Sequence, residues 1–206
     1  MAKITIIGTG SIGSAVATLA AKGGSEVQIL GRNETKVAEV AKEVGASKGT
    51  IGDAITGDIV VLAVPYSALA DLAGQYSGQL DGKTLVDVSN PLDFETFELV
   101  VPADSSAAEE LQALVPGASV VKAFNTNFAA TLVTGQMGNG VPTVLVAGDD
   151  DTAKQALIEV ITAGGVQAVS AGPLKRAREL ESLGLLALGL ASQEVIGWTG
   201  GFAVEK

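Results

Sequence analysis

Short apolar runs alternate with amphipathic stretches along most of the chain. Residues 4–7 form a β-branched run suited to a buried strand. Ile12, Ala15, Val16 and Leu19 then recur at helical spacing, and Gly23-Gly24 stops that helix. A second strand spans 26–30. Val37, Val40, Ala41 and Val44 line a second helix that Gly45 ends. Further strands are predicted over 58–65, 83–91, 119–124, 142–148 and 166–172, with helices over about 67–76 and 151–163. Residues 93–104 read as an irregular loop. Ser106 and Glu109 form a capping-box pattern that opens a helix to about Leu114. Pro173 suits the first turn of a long final helix.

Strands alternating with helices predict an α/β fold of Rossmann type, a doubly wound parallel sheet, over residues 1–172. Residues 173–206 form a C-terminal helical segment that completes an acceptor pocket or a dimer interface. From Leu183 to Ala191 the final helix is apolar almost all round, so it is buried in its own domain or against a neighbour. A homodimer is the expectation.

Between the first strand and helix stands Gly8-Thr9-Gly10-Ser11-Ile12-Gly13, a G-x-G-x-x-G. In a strand–turn–helix context this is the dinucleotide-binding pattern. Gly8 permits the tight turn, Gly10 lets backbone approach a pyrophosphate, and Gly13 brings helix and strand close. The helix N-terminus offers free N–H groups and partial positive charge.

The second strand runs into Gly31, Arg32 and Asn33, where an NAD-binding strand carries an acid that grips the ribose hydroxyls. An acid there would repel a 2′-phosphate. Gly31 opens space, Arg32 can pair with the phosphate, Asn33 can donate or cap the helix, and Lys36 adds charge. The pattern points to NADP; the competing reading makes Arg32 a solvated cation and Asn33 only a cap. The turns Ala63-Val64-Pro65-Tyr66 and Ser89-Asn90-Pro91 follow strands and should border the cofactor, with Tyr66 packing against it.

Composition narrows the chemistry. The 206 residues contain no His and no Cys, which removes disulfides, thiolate nucleophiles and the commonest acid/base group and metal ligand. No catalytic side chain is assigned, so the chemistry falls to a cofactor. The net charge of −10 argues against nucleic acid as a partner. Glu179, Glu181 and the run Asp149-Asp150-Asp151 invite a metal reading, but helix capping accounts better for the run, and no metal is expected. The start of the chain reads directly as a strand rather than a secretory leader, and the longest apolar run is too short for a bilayer. A cytoplasmic protein with no membrane partner is the expectation.

GTGSIGSAVA, the GRN turn, VLAVPY, VVKAFNT and AGPLKRARELE occur in that order, and together they resemble the coenzyme F420-dependent NADP oxidoreductase family over nearly the whole chain. A related nicotinamide-binding domain occurs in the STEAP metalloreductases. The resemblance implies hydride exchange between NADP(H) and a deazaflavin, coenzyme F420, as co-substrate. Such a transfer needs alignment and exclusion of water more than a protein acid or base. Thr9, Arg32 and Asn33 match the family's NADP site, although Gly–Arg–Asn stands where Ser–Arg–Arg is common. Asn125 and Thr126 match positions lining the hydride-transfer pocket, where archaeal members can carry His in place of Asn125. Ser182 matches a deazaflavin-contacting hydroxyl; its alternative is a helix-face Ser bonded to its own backbone. Gly184 replaces a second hydroxyl, a departure that would open space for a flavin or quinone. The remaining alternatives are reduction of a flavin, quinone or ferric chelate, and a non-catalytic NADP-binding redox sensor.

Overall fold

The structure, a computed structural model, describes residues 1–204. In chain order it comprises β1 (Lys3–Ile7), α1 (Ser11–Lys22), β2 (Glu26–Gly31), α2 (Glu34–Val44), β3 (Ser47–Thr50), β4 (Ile59–Leu62), α3 (Leu69–Gln75), β5 (Thr84–Asp87), β6 (Leu92–Asp93), β7 (Glu98–Leu99), α4 (Ala107–Leu114), β8 (Ser119–Lys122), α5 (Ala129–Thr134), β9 (Thr143–Gly148), α6 (Asp151–Ala163), β10 (Gln167–Gly172) and α7 (Ala177–Ser192). Short 3-10 turns at Tyr66–Ala68 and Leu174–Arg176 lead into α3 and α7.

Eight strands form one sheet in the order β10-β9-β8-β5-β4-β1-β2-β3. From β8 to β3 every neighbouring pair is parallel. Alternate residues feed two cores. Ile6, Ile29, Val61, Val86 and Val121 pack beneath α1 and α6 through Val16, Leu19, Leu157 and Ile161. Ile7, Leu30, Leu62, Leu85 and Val120 pack beneath α3 and α4 through Leu72, Ala73, Ala108 and Leu111. Covering both faces is why the central strands carry continuous apolar runs instead of alternating ones.

The expectation of an all-parallel sheet needs correction: β9 runs antiparallel to β8, and β10 parallel to β9. A parallel return would have to carry the chain back across the sheet. Here the link between β8 and β9 contains only the six-residue α5, which packs on α1, so β9 sets off from the edge where β8 ends. Two elements lack the expected signals. The edge strand β3, Ser-Lys-Gly-Thr, has no apolar residue, and α5 is short and rich in β-branched residues. The loop over 93–104 also contains a small antiparallel hairpin, β6 with β7.

The capping expectation for α4 holds: Ser106 Oγ accepts from the Glu109 N–H at 3.2 Å and donates to Glu109 Oε2 at 2.8 Å. Helix α7 turns the small residues Ala177, Gly184, Ala187 and Ala191 inward. Its outer leucines stay partly open, and Leu186 is 53% exposed. The apolar stretch is therefore buried on one side only.

Candidate functional site

Strand register builds the site. Ile7 pairs with Leu62, Leu62 with Asp87, and Asp87 with Lys122, so β1, β4, β5 and β8 end level along one edge. The turns that follow, at Gly8, Ala63, Val88 and Ala123, share one rim. The chain winds from β1 outward to β3, then returns to the other side of β1 with β4. This is the switch point at which doubly wound sheets bind ligands.

The three glycines of the first turn have different physical reasons. Gly8 sits at φ +119°, and a Cβ there would collide with Ala63 O. A Cβ on Gly13 would collide with Gly8 O. Both are fixed by packing within the chain. Gly10 has an ordinary φ of −71° and ψ of 178°, and a Cβ there would meet nothing within 4 Å. Nothing inside the chain requires that glycine, and the space above its backbone is open. Helix α1 begins there with no side-chain cap and no acid in its first turn, leaving its N–H groups for an anion.

Gly31 is buried, and a Cβ on it would lie 2.7 Å from Val37 Cγ2 and 3.5 Å from Thr9 Cγ2. The Val37 methyl therefore crowds any side chain at this position, while Thr9 stands at ordinary contact distance. Asn33 caps α2, its Oδ1 accepting from the Lys36 N–H at 3.1 Å. Arg32 and Lys36 are exposed, and among the described residues neither side chain is engaged in an ion pair or hydrogen bond.

Beside the α1 N-terminus lies a cavity of about 340 Å³, walled by Ser11 and Ile12 on one side and by residues 124–130, Val88, Asn90, Gly184, Ala187, Leu188 and Trp198 on the others. It brings together Ser11, Ile12, Asn90, Asn125 and Thr126 from the sequence-predicted set. Phe124, buried, adopts φ +65°, a left-handed conformation that costs a non-glycine residue roughly 1–3 kcal/mol. The reversal lets the next residue reach across the rim. Asn125 Nδ2 donates to Asn90 Oδ1 at 2.9 Å and to Leu180 O at 2.8 Å, while Asn90 Nδ2 donates to Asn125 O at 3.0 Å. Asn125 Oδ1, Asn127 Oδ1 and Ser89 Oγ are buried without a partner, an arrangement that ordinarily costs stability.

Gly184 does not open space for a flavin or quinone. A Cβ there would lie 2.5 Å from Asn90 Oδ1 and 2.9 Å from Asn125 O, so the amide pair already occupies that volume. Ser182 is exposed, donates to Arg178 O at 3.0 Å, and is not among the residues lining the cavity. Tyr66 lies at a separate crevice of about 190 Å³ beside α4. Its hydroxyl donates to Glu110 Oε2 at 2.5 Å. That bond, with burial and the Glu110 charge, pushes Tyr66 up to about 12, far from a proton donor's range. Pro91 O accepts from the Val100 N–H, which anchors the β6–β7 hairpin. Ala63 backs the glycine turn, its carbonyl and Cβ filling the space that a Cβ on Gly8 would need.

Sequence reasoning missed a buried ion cluster behind this rim. Lys122 Nζ donates to Asp87 Oδ2 and to Ser89 O, each at 2.7 Å, and lies 2.7 Å from Glu181 Oε1. All three charged side chains are fully buried. Glu181 Oε2 accepts from the Ala107 N–H at the start of α4 at 3.2 Å. Glu181 thus fastens α7 to both β8 and α4. Burial holds its carboxyl above the usual carboxylate range and Asp87 adds to this, while Lys122 and the Ala107 N–H pull the other way. Two signals pointed here: one Lys and one Asp, each ending an otherwise apolar strand. Glu179 instead pairs with Arg176 at the surface. The Asp run is divided among separate tasks. Asp150 caps α6, Asp149 accepts from the Leu174 N–H, and Asp151 pairs with Lys154.

Known proteins agree with this geometry. The family described as NADP oxidoreductase, coenzyme F420-dependent, matches residues 3–91. The F420-dependent NADP reductase of Methanocaldococcus jannaschii is 32% identical, over 91% of this chain and 92% of its own length. The metalloreductase STEAP3 of Rattus norvegicus is 33% identical over 90% of this chain, which spans 37% of that protein. Among solved structures, a putative F420-dependent NADP reductase from Arthrobacter sp. FB24 superimposes with a TM-score of 0.88 at 27% identity, covering 100% of both chains. With its dinucleotide turn, its open phosphate cradle and a relative of nearly the same length, this chain is an NADP-dependent oxidoreductase and belongs to the coenzyme F420-dependent NADP oxidoreductase family.

Proposed function

We propose that this enzyme moves a hydride between NADP(H) and a deazaflavin, coenzyme F420, within the cavity between the α1 N-terminus and the turn at 124–127. The observation that carries this reading is the cavity itself, apolar on most sides and bounded by Ser11 and Ile12 of the glycine turn, with Asn90, Asn125, Thr126 and Asn127 among its lining residues. NADPH supplies the hydride when bound. The chain supplies position. The turn from Gly8 to Gly13 and the α1 N-terminus hold the pyrophosphate. Arg32 and Lys36, with Thr9, Gly31 and Asn33 around them, hold the 2′-phosphate by charge-assisted hydrogen bonds. Ile12, Val88, Phe124 and Phe128 exclude water from the reacting faces, and Asn125 and Thr126 orient the second ring system by polar contact. No acid or base in the chain is required. Gly184, Ala187, Leu188 and Trp198 line the cavity from the same chain, which supports the C-terminal helical segment as part of the acceptor pocket.

A second reading, reduction of a ferric chelate by NADPH, is favoured by the similarity to STEAP3, whose name is that of a metalloreductase. A screen of acceptors under NADPH and NADH separates the two. Turnover of the deazaflavin, with flavin, quinone and ferric chelate left far behind, supports the first; preference for a ferric chelate supports the second.

The outer face of α7 supports a homodimer. Leu185, Leu186, Gly189 and Leu190 form with Phe97 an apolar groove that a second copy would cover. Leu186→Glu is expected to give a monomer in sedimentation velocity where the parent chain sediments as a dimer; a monomeric parent chain would overturn this.

A further inference from the structure

After α7 the described residues, 193–204, form no helix or strand, yet they return to the site. Glu194 takes φ +60°, Trp198 lines the cavity, and the Val204 N–H reaches back to Thr143 Oγ1 at 3.4 Å. The Trp198 ring stands edge-on to Phe128, with centroids 5.0 Å apart and planes at 61°. It is nevertheless 56% exposed. The indole of the chain's one tryptophan is thus held at the cavity mouth by an aromatic neighbour, with much of its surface still in water. An indole in that position is left for a flat ligand to cover.

We propose that Trp198 is a specificity-determining residue: its ring forms the outer wall of the acceptor side and selects planar ring acceptors over compact ones. The inference rests on the reading of this cavity as the acceptor pocket. A flat ring system entering past Phe128 would bury the exposed surface of the indole by stacking. A ferric chelate or a small quinone would leave much of it wet. The edge contact with Phe128 fixes the ring before the acceptor arrives, so less order is lost on binding.

The test uses the lone tryptophan as its own reporter. NADP⁺-saturated enzyme is titrated with coenzyme F420, flavin mononucleotide and a small benzoquinone while tryptophan emission is followed. Saturable quenching by the planar three-ring compounds, and only linear, non-saturating collisional quenching by the small quinone, is expected. In steady state, Trp198→Ala should raise KM for the planar acceptor about tenfold, the size of one aromatic stacking contact. KM for NADPH should stay within about twofold, and Trp198→Phe should restore most of the loss. Trp198→Ala with an unchanged acceptor KM, or emission unmoved by every planar compound, would overturn the proposal. If the parent enzyme does not turn over F420, the acceptor reading fails separately. Quenching by the flavin would then still support Trp198 as a ring platform, and its absence would overturn it.

Discussion

Among the described residues Lys122 is the one cation paired with Asp87 and Glu181 in a fully buried site, and Lys122→Met removes it while roughly keeping its length. Asp87 and Glu181 would then share a fully buried space with no counterion. Breaking a buried ion pair from one side costs about 3–5 kcal/mol, because the remaining charge is stranded. Set against a total stability of about 5–15 kcal/mol, the variant folds but is marginal. At about 2–4 °C per kcal/mol for a chain of this size, the loss corresponds to a fall of about 6–20 °C in Tm. The pH dependence is the sharper signature. Burial holds Glu181 above its ordinary value of 4.5, so the native state binds that proton more readily than the unfolded chain. For such a group, stability falls as pH rises from the unfolded value through the folded one. Removing Lys122 removes a charge that pulls Glu181 down, so the window of falling stability extends to higher pH. Urea unfolding from pH 5 to pH 9 should show the defect of Lys122→Met growing with pH and shrinking toward acid. A loss below about 1 kcal/mol, or one independent of pH, would refute the view that the cluster is a desolvated charge balance.

Other substitutions separate the parts of the site. Arg32→Ala should raise KM for NADPH about tenfold, the size of one charge-assisted hydrogen bond to phosphate, and leave KM for NADH little changed; equal losses with both would sink the 2′-phosphate assignment. Gly10→Val should keep its circular dichroism spectrum, since the backbone there suits any residue, and lose NADPH binding in calorimetry. Retained affinity would undo the cradle. Gly184→Ala forces a methyl to 2.5 Å from Asn90 Oδ1, so it should cost about 1–3 kcal/mol and raise the acceptor KM with NADPH affinity unchanged; a neutral effect would show that the amide pair moves freely.

The nucleotide half of the molecule was legible because its signals are local. A strand, a glycine turn and a helix fall within about twenty residues, and the structure builds β1, the turn and α1 where that pattern places them. The sheet reversal at β9 was not legible, since its cause is where α5 packs, which no local periodicity carries. The ion cluster was hidden for a related reason. Asp87 and Lys122 are each a lone charge ending an apolar run, and only the pairing of β5 with β8 makes them partners. Glu181 joins them from a helix about sixty residues farther on, where its spacing reads as an ordinary helix face. Gly184 pointed the wrong way for a similar reason. A missing side chain reads as empty space in a sequence, while in the fold two asparagine amides fill it.

The most direct test is to mix the purified enzyme with NADPH carrying deuterium at the transferable position of the nicotinamide, and with coenzyme F420, and to follow both the deazaflavin absorbance and the fate of the label. Bleaching with NADPH and not NADH, with deuterium recovered in the reduced deazaflavin, is the predicted result. No bleaching while NADPH is shown to bind, or label lost to water, would contradict direct hydride transfer between the two in this cavity.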